Sequence, residues 1–278
     1  MTRRAWIYGL PAVALLVVFV LVPFASVVRY ATWDWSGFGT PRPVGLENFA
    51  RLLRDGSFWR SIGTTLVFAA VTLPLFLWLS RTIAVALEGT RLERATKVLL
   101  LIPAVTTVAG AAVSWYLLYN PDYGLVVEAT GLSLPWQTAP WAAMAILVAF
   151  TLWQNTGYGV LVLSAALRGI PGEIKEAAVV DGATDRQLRR YVVYPLLRRS
   201  MTFLVVIGSA LVLQSYTAVY LLTRGGPYGS TRVAGYYLYE TAFERLRLGY
   251  GAAATLLVLA LVVTVAALEW WWIGRDDR

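Results

Sequence analysis

The chain has 278 residues, of which 58% are apolar and 14% are charged, and its mean hydropathy is +0.61. Soluble domains have roughly 45–50% apolar and about 25% charged residues, so this composition excludes an ordinary soluble protein. The net charge of +8 comes with no nucleic-acid recognition motif. Basic loops beside a membrane account for it without a nucleic-acid partner.

The residue types that are missing exclude several kinds of chemistry. The chain has no His and no Cys, which removes disulfides, thiol catalysis, His proton relays and most zinc sites. Its two lysines, Lys97 and Lys175, do not follow a glycine, so neither belongs to a Gly-Lys-Ser/Thr phosphate-binding loop. We therefore expect no catalytic residue, no metal and no cofactor in this chain, and a function other than that of an enzyme.

Charged residues are absent from six windows of the sequence, and these windows predict the fold class. A bilayer span needs about 20 largely apolar residues, and the amphipathic helices of soluble proteins rarely stay uncharged for so long. The windows are 5–28, 61–80, 98–121, 129–167, 200–223 and 248–268. The sequence therefore predicts an all-α, polytopic membrane protein, a single transmembrane domain over 1–278 with six helices at about 6–28, 61–80, 98–119, 141–166, 201–222 and 250–272.

Two of these windows need interpretation before they become spans. The first follows Arg3 and Arg4, as a signal peptide would, but it is longer than a typical apolar h-region of about 7–15 residues, so we interpret it as a retained span. The fourth is too long for one helix. Because proline disfavours helix in the residue before it, Pro135 and Pro140 place the start of the fourth span at about Trp141.

The distribution of basic residues predicts the orientation in the membrane. With both termini cytoplasmic, the cytoplasmic segments hold 15 Lys and Arg and the external loops hold 9. Cytoplasmic loops carry an excess of basic residues. We therefore expect both termini and the segments 81–97 and 167–199 on the cytoplasmic side.

The segment 167–199 is the longest of these cytoplasmic segments and carries clear helix signals. Pro171 suits the first turn of a helix, and Gly182 can end that helix in the left-handed conformation. Thr184 or Asp185 is a suitable N-cap for a second helix. The pattern predicts two short helices at a sharp turn. On these local grounds alone, a solvated loop between spans is an equally good interpretation of its role.

The spacing within this segment resembles a known family motif. Glu176-Ala177-Ala178 are followed after three residues by Gly182, and nine residues later by Val192-Val193-Tyr194-Pro195. This resembles the EAA coupling loop of ATP-binding-cassette importer permeases, with Val192 and Tyr194 in place of Ile and Leu. Residues 44–49 and 222–227, with Thr231, resemble segments of the carbohydrate-type (maltose- and glycerol-phosphate-like) members. The likeness thus covers nearly the whole chain, with the permease core expected at 61–272.

The resemblance implies a transport function that depends on partners. It implies a cytoplasmic ABC ATPase dimer that docks on the segment 167–199 and an extracytoplasmic solute-binding protein. It also implies a second permease subunit, expected to be a different chain, with a second copy of this chain as the alternative. It also implies a multi-pass location in the inner cell membrane of a prokaryote, within the lipid bilayer. The ATPase-coupling residues carried over by position are Glu176, Ala177, Ala178, Asp181, Gly182, Ala183 and Pro195.

Polar and aromatic residues in the fourth and fifth spans predict a path for the solute. Amide and hydroxyl groups bind sugars by hydrogen bonds, and polar groups inside a membrane usually face a cavity or another helix. Hydrogen bonds between helices are an equally good explanation for any one of these residues. The residues are Trp153, Gln154, Asn155, Tyr158, Gln214, Ser215 and Tyr216. We expect a sugar or related polyhydroxy solute, with glycerol phosphate, a polyamine or an amino acid as the alternatives.

Other functional classes fit the sequence less well. A proton- or sodium-coupled transporter normally needs an ionisable group near mid-membrane, and the six windows contain none. A membrane-embedded enzyme would lack acid–base groups. A structural anchor is compatible with the composition, but it gives no reason for the spacing around Gly182.

Overall fold

The computed structural model describes residues 5–131, 133–213 and 215–273, and helices form most of this part of the chain. The all-α fold class predicted from the sequence is confirmed. The described residues belong to two compact units, one within Met1–Arg60 and Tyr237–Trp272 and the other within Ser61–Tyr236 together with Ile273.

The first unit begins with a long, nearly continuous helix. Helix α1 (Ala5–Leu16), the π-helical segment π1 (Val17–Leu21) and α2 (Val22–Ala31) follow one another without a loop. Pro23 has no N–H to donate, and the π-helical segment lies directly before this interruption of the hydrogen-bond pattern. Apolar side chains such as Phe19 are exposed along this helix, as contact with lipid requires.

The rest of the first unit packs around the end of α2. It contains β1 (Trp33–Asp34) paired antiparallel with β2 (Arg42–Pro43), α3 (Glu47–Leu53), the π-helical segment π3 (Glu240–Glu244) and α15 (Leu248–Ile273). The buried Asn48 donates its amide N–H groups to the carbonyl oxygens of Ala31 (3.0 Å) and Trp33 (2.9 Å). A Cβ on Gly249 would lie 1.8 Å from the Trp33 carbonyl oxygen, so only glycine allows this close start of α15.

The second unit contains the helices that carry the segment 167–199 and the predicted solute path. Helix α4 (Gly56–Leu87) enters it at Ser61, and α14 (Ala234–Tyr239) ends it. Between them lie α5 (Glu93–Val105), α6 (Val108–Leu118), α7 (Leu125–Thr130), α8 (Pro140–Arg168), α9 (Gly172–Val180), α10 (Asp185–Gln187), π2 (Leu188–Val193), α11 (Tyr194–Leu196), α12 (Arg198–Leu213) and α13 (Tyr216–Leu222).

A buried core joins α4 and α8 to the segment 193–204. Its members are Phe76, Ala84, Val85, Val160, Leu163, Leu167, Val193, Leu197 and Leu204. Helices α5 and α8 approach closely at Gly157, where a Cβ would lie 1.8 Å from the Leu100 carbonyl oxygen. This core holds the segment 167–199 onto the helices that precede it.

The structure divides the third predicted span, 98–119, into two helices. Helices α5 and α6 meet at an angle of 97°. Thr106 and Thr107 are extended, with ψ of 147° and 134°, and the Thr107 hydroxyl caps α6 by accepting from the Gly110 N–H. Ser and Thr favour caps over helix interiors. The third predicted span therefore corresponds to a bent pair of helices.

The other predicted spans coincide with helices that are longer or are divided. Helices α4, α8 and α15 contain 61–80, 141–166 and 250–272. The fifth, 201–222, falls on α12 and α13. Within the described residues, three helical stretches are long and apolar enough to cross a membrane, or five if the two bent pairs are each one span. The number six stays a prediction that is consistent with these helices.

Candidate functional site

The segment 167–199 is called the coupling loop from here on, after the role that the resemblance predicts for it. It forms the predicted turn between two short helices. Helix α9 ends in a left-handed residue, Gly182, with φ of +81°. The Gly182 N–H donates to the Val179 carbonyl oxygen (3.0 Å) and the Ala183 N–H to the Ala178 carbonyl oxygen (2.9 Å). This pair of bonds is the Schellman ending of a helix. The predicted end of the first helix at Gly182 is confirmed.

The second short helix begins at the predicted N-cap. The Thr184 hydroxyl accepts from the Gln187 N–H (3.4 Å), and the Gln187 side chain accepts from the Thr184 N–H (2.8 Å). This reciprocal capping box fixes the entry into α10. The turn between α9 and α10 is thus fixed by backbone–backbone bonds at Gly182 and Ala183 and by side-chain-to-backbone bonds between Thr184 and Gln187.

All but one of the residues assigned to coupling lie on α9 or in this turn, and Pro195 lies in α11. Glu176, Ala177, Asp181, Gly182 and Pro195 are exposed, and Ala178 and Ala183 are half-buried. No heavy atom outside the turn lies within 4 Å of the position that a Cβ on Gly182 would take. The coupling residues are therefore available for contact with another molecule.

Two valines beside these residues were missed in the sequence analysis. Val180 is 87% exposed and Val179 is 58% exposed, and Ile174 adds a third exposed apolar side chain on α9. Isolated exposed apolar residues are ordinary. These three are spaced around α9 and do not share one face, so their exposure shows that the rest of the unit leaves α9 largely uncovered. The signal in the sequence was the Val-Val pair directly before Asp181-Gly182 in an otherwise polar segment.

Specific contacts attach the coupling loop to the rest of its unit. The Lys175 ammonium group on α9 lies 2.5 Å from a Glu88 carboxylate oxygen just after the end of α4. The Arg81 guanidinium lies 4.5 Å from the centre of the Tyr194 ring. Val193 belongs to the buried core. A displacement of α9 would therefore act on α4 by an ion pair and on the core by packing.

The residues proposed for the solute path on α8 have different surroundings. Gln154 is buried, and Tyr158 packs against the core. Asn155 donates its amide N–H to the Thr151 carbonyl oxygen (2.9 Å) in its own helix. Trp153 lies in an aromatic group, 5.4 Å from the Trp115 ring. Part of the hydrogen-bonding capacity of this set is therefore used within α8.

The residues proposed for the path in the fifth span lie at the start of α13. Ser215 is buried and donates its hydroxyl to the Val212 carbonyl oxygen (2.7 Å), whereas Tyr216 is partly exposed. Gln214 lies outside the described residues. The solute path stays a prediction.

The loop after α13, residues 223–231, is built around two threonines. The hydroxyls of Thr223 and Thr231 lie 2.7 Å apart, and the Thr231 hydroxyl donates to the Gly226 carbonyl oxygen (2.8 Å). Gly225 has φ of +75°, and a Cβ there would lie 2.8 Å from the Tyr236 ring. The two threonines and Gly225 thus hold this loop in one shape.

A cavity of about 630 Å³ opens beside this loop. Tyr116 and Trp136 provide aromatic walls, and Gln137 and Arg224 provide polar groups. The Trp136 indole N–H donates to the Tyr119 carbonyl oxygen (2.7 Å), which fixes the ring. Aromatic faces with a few polar groups are typical of small-molecule sites. The sequence analysis did not assign this cavity.

Comparison with known proteins identifies similar chains over the full length. Residues 44–269 match the family model described as "Binding-protein-dependent transport system inner membrane component". A probable ABC transporter permease protein of Pyrococcus horikoshii is 30% identical over 97% of this chain and 96% of its own length. The sn-glycerol-3-phosphate transport system permease protein UgpA of Yersinia pseudotuberculosis is 31% identical, over 97% of this chain and 94% of its own.

Solved structures show the same fold. A chain from the crystal structure of a bacterial ABC transporter involved in the import of the acidic polysaccharide alginate superposes with a TM-score of 0.85, at 19% identity. It covers 99% of this chain, and this chain covers 98% of it. A chain from an amino acid ABC transporter crystallised with histidines has a TM-score of 0.56 over 82% of this chain, at 14% identity.

Proposed function

Since this chain belongs to the family of binding-protein-dependent transport system inner membrane components, we propose that its coupling loop links transport to a cytoplasmic ABC ATPase dimer. The observation that carries the proposal is α9 itself. It is a short helix with exposed apolar side chains and a left-handed end at Gly182, and Lys175 ties it to Glu88. In this arrangement the chain forms the membrane path, and the partner hydrolyses ATP.

The chemistry of α9 suits a cleft on another protein. The exposed side chains of Ile174, Val179 and Val180 lose their contact with water when the helix docks, which stabilises the complex. Glu176 and Asp181 place carboxylates beside these side chains for charge-assisted hydrogen bonds to a basic partner. Motion of the docked helix then reaches α4 through the ion pair between Lys175 and Glu88.

This mechanism requires the orientation that the charge distribution predicts. Both termini and the coupling loop face the cytoplasm, a second permease subunit completes the path, and a binding protein delivers solute to the opposite face. The chain has no native Cys, so a single cysteine at Asp185→Cys can be labelled selectively. If that cysteine reacts with a membrane-impermeant thiol reagent in intact cells, the coupling loop lies outside and the predicted orientation is wrong.

The solute that fits this proposal is a sugar or a related polyhydroxy compound. The wall of the cavity at residues 223–231 combines Tyr116 and Trp136 with Gln137 and Arg224, so both stacking and hydrogen bonding are available to a solute entering there. Two similar proteins carry names that specify glycerol phosphate and alginate, both polyhydroxy compounds. If unlabelled amino acids inhibit uptake by the importer and unlabelled polyols do not, the solute is not a polyhydroxy compound.

Docking of α9 is tested by placing a charge among its exposed apolar side chains. Val180→Asp should weaken co-purification of the ATPase by about tenfold or more, because the carboxylate would be buried without a partner in the docked complex. Leu92→Asp is the matched control. Leu92 is 69% exposed on the same predicted side of the membrane but lies outside α9. Normal ATPase recovery with Val180→Asp would exclude α9 as the docking helix.

A further inference from the structure

A second cavity lies at the predicted cytoplasmic ends of α4, α5 and α8. Its volume is about 680 Å³, and its lining changes in character along the helices. Arg91, Arg94 and Arg168 lie at one end. Val98 and Leu161, both exposed apolar side chains, continue the wall toward the predicted spans. The cavity is therefore basic where it faces the cytoplasm and apolar where it faces the membrane.

The acidic groups at this cavity already have basic partners. A Glu93 carboxylate oxygen lies 2.5 Å from the Lys97 ammonium group and 3.3 Å from the Arg168 guanidinium. Glu88 pairs with Lys175 at 2.5 Å. Five basic residues thus surround two carboxylates when Arg91 and Arg94, both exposed, are included. The excess positive charge favours an anion.

A buried hydroxyl provides an independent sign of a ligand. Ser164 lines the cavity, is only 4% exposed, and its hydroxyl has no hydrogen-bond partner among the described residues. Such a group loses its hydration without compensation unless a ligand or water bonds to it. Arg168 lies four residues after Ser164 and Leu161 lies three before it. At 1.5 Å per residue, the order along α8 is a cation, a hydroxyl about 6 Å deeper, and then an apolar wall.

We propose that this cavity binds an anionic phospholipid. The phosphate lies between Arg91, Arg94 and Arg168, an ester carbonyl of the glycerol backbone accepts from the Ser164 hydroxyl, and an acyl chain runs along Val98 and Leu161. Basic pockets between helices at the cytoplasmic side of membrane proteins bind anionic lipid headgroups in this manner. The proposal rests neither on the identity of the solute nor on the docking of α9, although Glu88 in the lining also pairs with Lys175 of α9.

Native mass spectrometry of the detergent-purified importer, with all its subunits, tests this site. The complex is titrated with phosphatidylglycerol, with phosphatidylcholine and with inorganic phosphate, and bound molecules are counted. Phosphatidylglycerol should bind about tenfold more tightly than phosphatidylcholine, because each arginine near the headgroup contributes to binding the anion. Inorganic phosphate at millimolar concentration should leave the bound lipid in place, since it lacks the apolar part.

Three variants separate this site from general attraction to lipid. The double variant Arg91→Gln and Arg94→Gln should lose the preference for phosphatidylglycerol, whereas Arg186→Gln with Arg189→Gln, the same loss of charge elsewhere on the predicted cytoplasmic side, should keep it. Ser164→Ala retains every charge and should weaken the binding of phosphatidylglycerol by about threefold, as expected for one lost hydrogen bond. An unchanged preference in the Arg91 and Arg94 variant would overturn the proposal. Displacement of the lipid by inorganic phosphate would instead identify a free-phosphate site.

Discussion

At the scale of single residues, Asp55 is the most heavily hydrogen-bonded carboxylate in the described part of the chain. One oxygen accepts from the hydroxyls of Tyr237 (2.7 Å) and Tyr250 (2.9 Å), and the other from the backbone N–H groups of Ser57 (2.8 Å) and Phe58 (3.4 Å). Burial raises the pKa of Asp55, but these hydrogen bonds outweigh burial and hold the pKa below 3.8. Asp55 thus caps α4 and joins it to two distant tyrosines.

Removing this carboxylate should destabilise the first unit. We expect Asp55→Ala to lower the free energy of unfolding by about 1.5–3 kcal/mol, the range for hydrogen bonds to a charged group. Asp34→Ala, which removes an exposed carboxylate of the same unit, should change stability by less than about 0.5 kcal/mol. Chemical unfolding of the purified protein in detergent measures both.

The contribution of Asp55 should also depend on pH in a defined direction. Because its pKa is lower in the folded chain than the ordinary value of 3.8, the stabilisation is complete above that value and is lost as the pH falls below it. The difference between the wild type and Asp55→Ala should therefore shrink between pH 5 and pH 3. A difference that stays constant over this range would show that the charge of Asp55 is not what stabilises the fold.

At the scale of elements, the close contact between α5 and α8 depends on Gly157. A Cβ there would lie 1.8 Å from the Leu100 carbonyl oxygen, a backbone atom that cannot move alone. We expect Gly157→Ala to destabilise the protein by about 1–3 kcal/mol through overpacking. Gly63→Ala is the matched control, since Gly63 lies within α4 and a Cβ there meets no atom within 4 Å.

The control should be neutral or stabilising by up to about 1 kcal/mol, because alanine favours helix over glycine. Thermal unfolding in detergent compares the two variants directly. Equal melting temperatures for Gly157→Ala and Gly63→Ala would show that the two helices separate at little cost.

Local signals were sufficient to predict some of these elements. Gly182 and Thr184 act through their own backbone and nearest neighbours, so the turn between α9 and α10 could be read from the sequence. The break at Thr106 and Thr107 could not be predicted in this way. The surrounding window is uniformly uncharged, so it gives no sign that the helix direction changes there. The bonds of Asp55 were also beyond prediction, since Tyr237 lies 182 residues away.

For the proposed functional surfaces too, local features could be predicted from the sequence and features that depend on distant residues could not. The spacing around Gly182 predicts the coupling loop, but the exposure of Val179 and Val180 depends on how α9 is held, which the sequence does not reveal. The cavity lined by Tyr116, Trp136 and Arg224 joins three separate parts of the chain. Only the folded unit brings those parts together.

At the scale of the whole molecule, the distribution of charge matches a membrane component with one coupling surface. The long apolar stretches are uncharged, and the coupling loop holds 7 of the 24 basic residues together with the exposed surface of α9. The chain belongs to a family of binding-protein-dependent transport components, and the proposed source of energy is a partner that hydrolyses ATP. The central claim is therefore that ATP hydrolysis in a partner acts on this chain through α9 and its turn at Gly182.

Solute import into proteoliposomes that contain the complete importer, its binding protein and ATP tests this claim most directly. Gly182→Val and Gly39→Val carry the same strain of about 1–2 kcal/mol, because both glycines have positive φ and open space around a Cβ. We predict that Gly182→Val lowers import and solute-stimulated ATP hydrolysis by about tenfold or more, while Gly39→Val retains both near the wild-type rate. Wild-type import and stimulation with Gly182→Val would contradict the account.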